Sequence, residues 1–301
     1  MTSTSGSGDG YVVEDSPEGR SLVVTGPWSD LTADALRRGD ADGLVLNYAR
    51  GFSEGGLGFL DDWGVRRLKV LDRGIVDLDA IGRLGSSLEH LSVQAAPSAE
   101  LDLAQLPRLR SVSGEWKLIR GTLGAVDALQ TVITWRFDEP DLRAFRDHVH
   151  LRHLTVKEAP HLETLAGVGD LTELEELSVF LARRLHDIAD VAGVAAPLRS
   201  FELEDCPSID AIDDIEVLVN LSFLGLSECG PIQSFMPIGP LEQLEVLYAW
   251  GSTRVVDKGL SPLAGLPKLR EIRMRDRPGY KPRVKDLVAA LELRSHDLGR
   301  P

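Results

Sequence analysis

Leu174-Glu175-Glu176-Leu177-Ser178-Val179 is the stretch that decides the architecture of this chain. Its form, L-x-x-L-x-L, recurs at Leu151/Leu154/Val156, Leu198/Phe201/Leu203, Leu221/Leu224/Leu226 and Leu244/Leu247/Ala249. Weaker copies extend the series in both directions: Ala41/Leu44/Leu46, Val65/Leu68/Val70, Leu88/Leu91/Val93, Leu109/Val112/Gly114, Leu129/Val132/Thr134 and Leu269/Ile272/Met274. First positions of the eleven copies are separated by 24, 23, 21, 20, 22, 23, 24, 23, 23 and 25 residues. A period this steady marks a stacked repeat, because a unit of this size cannot bury its apolar edge alone.

Alternation inside each six-residue unit predicts a short strand with one face inward. Between units the apolar spacing changes to three, as in Leu185/Ile188/Val191/Val194 and Leu162/Leu165/Val168/Leu171. That spacing predicts an extended or 3₁₀-like return rather than an α-helix. Strand, turn and return close one coil, and stacked coils place their strands side by side in a parallel sheet, about 4.8 Å apart.

The pattern resembles leucine-rich repeat proteins of the 22-residue type, the class of bacterial internalin-like proteins, over roughly residues 41 to 285. The resemblance implies an α/β repeat solenoid, a horseshoe or arc with a concave parallel sheet and a 3₁₀ or extended convex side. One departure stands out. The family usually carries Asn at the ninth position, where this chain reads Ala49, Arg73, Ala96, Lys117, Phe137, Ala159, Ala182, Cys206, Cys229, Ser252 and Arg277. Lys117 and Phe137 coincide with the shortest steps, so repeats three to five are the least regular.

An uncapped solenoid would expose its core. Tyr11 to Val24 reads as a hairpin around a Ser-Pro-Glu-Gly turn, followed by a short helix with Ser29 as N-cap, Leu31, Ala35 and Leu36 as its apolar side and Gly39 as its stop. Val284 to Leu293 reads as a closing helix, with Leu287, Val288 and Leu291 facing the last coil. The expected organisation is a tail at 1–10, an N-terminal cap at 11–40, about eleven repeats at 41–282, and a helical cap with tail at 283–301. The glycine-rich stretch Gly51 to Gly64 is expected to be a longer loop on the convex side.

Composition excludes several classes of function. Lys and Arg total 33 against 47 Asp and Glu, a net charge of −14 over 301 residues, which repels a phosphate backbone. No apolar run of the length needed to span a bilayer is present. Two cysteines and an N-terminus without a signal-like segment fit a cytoplasmic protein without disulfides. No cofactor is expected, since neither a Walker loop nor a nucleophile elbow occurs, and Gly55-Gly56-x-Gly58 lacks the strand and helix that a phosphate loop needs. The contrasting reading is a metal-binding protein or enzyme centred on His148, His150 and His153, the one metal-like spacing in the chain.

The richer signal is on the concave face, where the third, fifth, seventh and eighth positions of each repeat point away from the core. Tyr48, Trp116, Trp135, Phe180, Phe223, Tyr248 and Trp250 fall there. Random placement of the chain's 17 aromatics would put only about 2.5 on these positions, so the excess marks interface anchors. Acids join them at Glu176, Glu202, Glu204, Asp205 and Glu228, within a stretch from Leu171 to Gly230 that holds 13 acids against three bases. Residues 251 to 301 carry 12 bases against six acids. The expectation is a non-catalytic module that grips a protein partner, with a basic surface on that partner, and binds neither nucleic acid nor membrane. A toxin-neutralising protein and a regulator both fit that description.

Overall fold

The computed structural model describes residues 10–298. The expected tail therefore lies outside the described residues except for Gly10, as do the last three residues of the closing segment. The chain forms two compact units, one ending at Thr134 and the other beginning at Trp135.

In the first unit, β1 (Tyr11–Ser16) and β2 (Gly19–Val24) form an antiparallel hairpin, and β2 runs parallel to β3 (Gly43–Asn47). Three further strands, β4 (Arg67–Leu71), β5 (His90–Gln94) and β6 (Ser111–Glu115), add in parallel, one per repeat. The next, β7 (Thr131–Trp135), lies where the first unit ends.

Helix α1 (Asp30–Arg37) connects β2 to β3. Ser29 caps it by accepting from the Thr32 N–H. It ends in a Schellman turn, where Gly39 at φ 75° lets its own amide reach Leu36 O and the Asp40 amide reach Ala35 O. The side it buries is Thr32, Ala33, Ala35 and Leu36. Leu31, expected on that side, is instead 54% exposed, because the helix turns Thr32 and Ala33 inward in its first turn. The glycine-rich stretch after β3 is a loop that sends Phe52, Leu57 and Leu60 inward, while the Trp28 ring stacks on Phe59 at 4.1 Å and on Trp63 at 5.1 Å.

In the second unit β8 (His153–Lys157), β9 (Glu176–Phe180), β10 (Ser200–Glu204) and β11 (Phe223–Ser227) are parallel and in register, followed by β13 (Val246–Ala249) and β15 (Glu271–Met274). Between them β12 (Pro231–Ile232) and β14 (Arg254–Val255) pair as a small second sheet on the returns. Register aligns the fourth repeat positions into one buried rung, Leu154, Leu177, Phe201, Leu224, Leu247 and Ile272. Each such side chain stabilises the fold by about 1.5–3 kcal/mol relative to exposure. The period-three segments are 3₁₀ turns, among them Val168–Asp170, Ala189–Val194, Asp213–Val217 and Met236–Ile238. Both units are thus made of leucine-rich repeat coils, each a short parallel strand with a 3₁₀ return.

Two features were not legible in the repeat. The first is α2 (Trp116–Ile119), a helical turn directly after β6. The second is the eighth position of successive coils. Arg136, Glu158, Leu181, Asp205 and Glu228 all have φ between 52° and 61°, and Gly251 continues the series at 72°. The left-handed residue turns the chain out of the strand, so the eighth side chain serves the turn and not the sheet face.

The missing Asn ladder has a substitute. Cys206 Sγ lies 3.8 Å from Val179 O and Cys229 Sγ 3.3 Å from Leu203 O, each reaching the sixth-position carbonyl of the coil before. One coil later Thr253 continues the series by donating its hydroxyl to Leu226 O. Both cysteines are free and fully buried. The neighbouring Cys206 thiol and burial push the Cys229 thiol well above its ordinary value, so it stays a protonated donor.

Two further α-helices follow, α3 (Ser261–Gly265) and α4 (Val284–Leu298). In α4, Val284, Leu287 and Leu291 are buried, and the Asp276 carboxylate holds its start by accepting from Arg283 and from the Val284 amide. No helix among the described residues is long and apolar enough to cross a membrane.

Candidate functional site

The open face of the second unit is built by three rows of side chains, each row crossing neighbouring strands. The third-position row runs His153, Glu176, Ser200, Phe223, Val246, Glu271. The fifth runs Thr155, Ser178, Glu202, Gly225, Tyr248, Arg273, and the seventh begins Lys157, Phe180, Glu204, Ser227. Acids at the centre of this face therefore stand beside aromatics, and cations flank both.

Glu202 occupies the middle. Gly225, its neighbour in the row, leaves a gap that the Glu202 chain crosses, since a Cβ at position 225 would lie 2.8 Å from Glu202 Cγ and 3.3 Å from Phe223 Cε1. Partial burial, and then the charge of Glu204, raise the Glu202 carboxyl above its ordinary value, against weaker opposing effects of Lys157 and a hydrogen bond from Ser178. Glu204 is exposed and makes no ion pair among the described residues. Glu176 is exposed, with His153 Nε2 at 3.8 Å.

The aromatics of this face are held by cations of the same chain. Phe180 has Lys157 Nζ 5.1 Å from its ring centre, Tyr248 has the Arg273 guanidinium at 4.5 Å, and Trp250 has that of Arg275 at 5.4 Å. Phe223 and Tyr248 meet edge to face at 5.2 Å. Tyr248 also donates its hydroxyl to Glu271 at 3.1 Å, and partial burial together with that bond raises its phenol. Ser227, Tyr248, Trp250, Ile272, Arg273 and Met274 line a cleft of about 490 Å³.

The remaining site residues separate into different places. Trp116 is a correction: it is 2% exposed and opens α2, because the helical turn after β6 rolls its side chain inward. Tyr48 lies past the end of β3 in a 3₁₀ turn (Tyr48–Arg50) and is 66% exposed. Trp135 ends β7 and is half-buried. Asp205 and Glu228 sit at the left-handed eighth position and serve their turns. Asp205 has Arg183 at 3.6 Å, and Glu228 accepts from the Ser252 amide at 2.8 Å, a bond that lowers its carboxyl pKa.

The three histidines do not converge. His148 is buried, His150 Nδ1 faces Glu173 at 3.0 Å, and His153 faces Glu176. Among the described residues no group of three or more His, Cys, Asp or Glu could hold a metal ion. The sequence also missed Lys157, although its seventh position, one coil before Phe180, is the signal that would have found it.

Neither the comparison with protein-family models nor that with curated proteins finds a match. Solved structures resemble the chain in fold. An internalin of Listeria monocytogenes is 17% identical, covers 70% of this chain and 76% of its own, and gives a TM-score of 0.39. A leucine-rich repeat protein of Leptospira interrogans is 17% identical over 84% of this chain and 72% of its own, at 0.40. A plant peptide hormone receptor, RGFR1, in complex with RGF2 is 15% identical over 86% of this chain and 40% of its own, at 0.48.

Proposed function

We propose that this protein is a non-catalytic leucine-rich repeat module that grips a partner protein through the open face of its second unit, where a basic patch of the partner meets Glu176, Glu202 and Glu204. The observation that carries the reading is Glu202, an acid held partly out of water beside Phe223 and over Gly225, with no cation of its own chain in an ion pair among the described residues. A half-desolvated carboxylate left in this state is costly, and a partner's guanidinium or ammonium would offset the cost. Phe223, Tyr248 and Trp250 then supply the apolar contact, Trp250 being 52% exposed. Neutralisation of a basic toxin or nuclease is one role such a face could fill, and regulation of a basic protein is another.

An arginine-rich peptide is the direct probe. Its association with the full chain should slow as ionic strength rises past about 0.15 M. Glu202→Gln and Trp250→Ala should each weaken it. A salt-independent association rate, or equal affinity for wild type and both variants, rejects the reading.

A further inference from the structure

We propose that the open face of the first unit is a separate binding site for an extended acidic peptide segment. The site is a cleft of about 810 Å³ across β4, β5, β6 and β7, and all of its lining residues belong to the first unit. It shares no residue with the face of the second unit, so the two readings stand or fall independently.

The register sets out the site. Arg67, His90 and Ser111 form one row across the strands, and Lys69, Ser92 and Ser113 form the next. Arg66 and Arg110 stand at the strand entries, with Glu89 between them in the chain's stacking order. Two of the acids are already used. Asp42 takes the Arg67 guanidinium in a two-point pair, and Glu89 takes Arg66 through two bonds of 3.2 and 2.7 Å. The Arg66 pair pulls the Glu89 carboxyl below its ordinary value, with Arg110 and His90 adding only through space. Glu18 is a third acid, at the hairpin end of the cleft.

Lys69 and Arg110 make no ion pair among the described residues, and both are exposed. With Arg66 and Arg67 paired, Lys69 and Arg110 outnumber the remaining acid Glu18, so the cleft carries a small cationic excess on a chain whose net charge is −14. Between them lie Ser92, Ser111 and Ser113, half-buried hydroxyls that can donate to carboxylate oxygens or to a peptide backbone. The lining contains no Phe, Tyr or Trp. A nucleic acid would find no surface on which to stack its bases. A short peptide bearing a few carboxylates needs neither stacking nor a basic molecule. It needs two separated cations with hydroxyls between them, which is what Lys69, Arg110 and the three serines provide.

The test is titration of a fluorescent oligoglutamate peptide into the full chain, with oligothymidylate and inorganic phosphate as rival probes. Saturable oligoglutamate binding is expected, weakened at least tenfold by Lys69→Glu with Arg110→Glu and unchanged by Met236→Ala, an exposed residue on a return of the second unit. Both substituted residues are exposed, and circular dichroism checks that the double variant folds. Lys69→Gln, which removes one charge without reversing it, should give an intermediate loss. The proposal is overturned by absence of oligoglutamate binding, by binding that ignores the two substitutions, or by tighter binding of oligothymidylate or phosphate at the same residues.

Discussion

The hydroxyl of Thr253 accepts the backbone N–H of Cys229, one coil before it, at 2.9 Å. The same hydroxyl donates to Leu226 O, and Thr253 is fully buried. One side chain thereby satisfies two backbone groups that have no water to turn to, the role that the thiols of Cys206 and Cys229 fill more weakly in the preceding coils.

Thr253→Val keeps the shape and removes both bonds, leaving a buried donor and a buried acceptor without partners. The expected cost is about 1–3 kcal/mol. Urea denaturation measures it, and Thr253→Ser should restore most of the loss. A valine variant as stable as wild type would show that the ladder is geometry without energetic weight.

Leu181 occupies the left-handed region at φ 61°, where an L side chain meets its own backbone. Being exposed, it returns little by packing. Leu181→Gly relieves the conformation at some cost in unfolded-state entropy, for an expected net gain of up to about 1 kcal/mol. Leu181→Val places a β-branched residue there and should lose about 1 kcal/mol. The order Gly, Leu, Val in thermal midpoint checks the assignment, and the opposite order contradicts it.

Glu202 gives the protein a pH dependence of unusual sign for a carboxylate. Its folded pKa is raised above 4.5, mainly by burial, so as pH rises the unfolded chain releases this proton first. Stability that the protonated group contributes below pH 4.5 is therefore lost as pH climbs through the raised folded value. Glu202→Gln removes that loss. The variant should match wild type in acid and exceed it at neutral pH when both are denatured at a series of pH values. A difference that stays constant with pH would mean that charge at position 202 is not the cause.

Much of the fold was legible because the buried positions obey a fixed period. The third to sixth positions of all eleven L-x-x-L-x-L copies fall on strands, from the copy begun by Ala41 at one end to that begun by Leu269 at the other. The period-three returns are 3₁₀ turns because three residues per turn is the geometry that spacing describes. The site was less legible. Third, fifth and seventh positions do face outward, but the eighth does not share that fate, because its backbone is left-handed in residues as unlike as Arg136, Leu181 and Asp205. Sequence gives no hint of αL where Gly and Asn are absent. Pairing across coils, such as Lys157 with Phe180 or Arg273 with Tyr248, needs the register of the strands, which a linear pattern leaves open until they are stacked.

Trp116 and Trp250 put the distinction between core and face to a direct test, since spacing alone placed both on the face. Trp116 is buried at the head of a helical turn, and Trp116→Ala should cost about 3–5 kcal/mol in stability by leaving a cavity. Trp250 stands half in solvent with Arg275 against its ring, so Trp250→Ala should alter stability little. For the arginine-rich peptide the ranking reverses: under conditions where each variant is folded, the loss of affinity should belong to Trp250→Ala and not to Trp116→Ala. Denaturation and peptide titration on the same two proteins read both effects. If Trp250→Ala costs as much stability as Trp116→Ala and leaves the affinity of the folded protein unchanged, the ring is part of the core after all and the face loses an anchor.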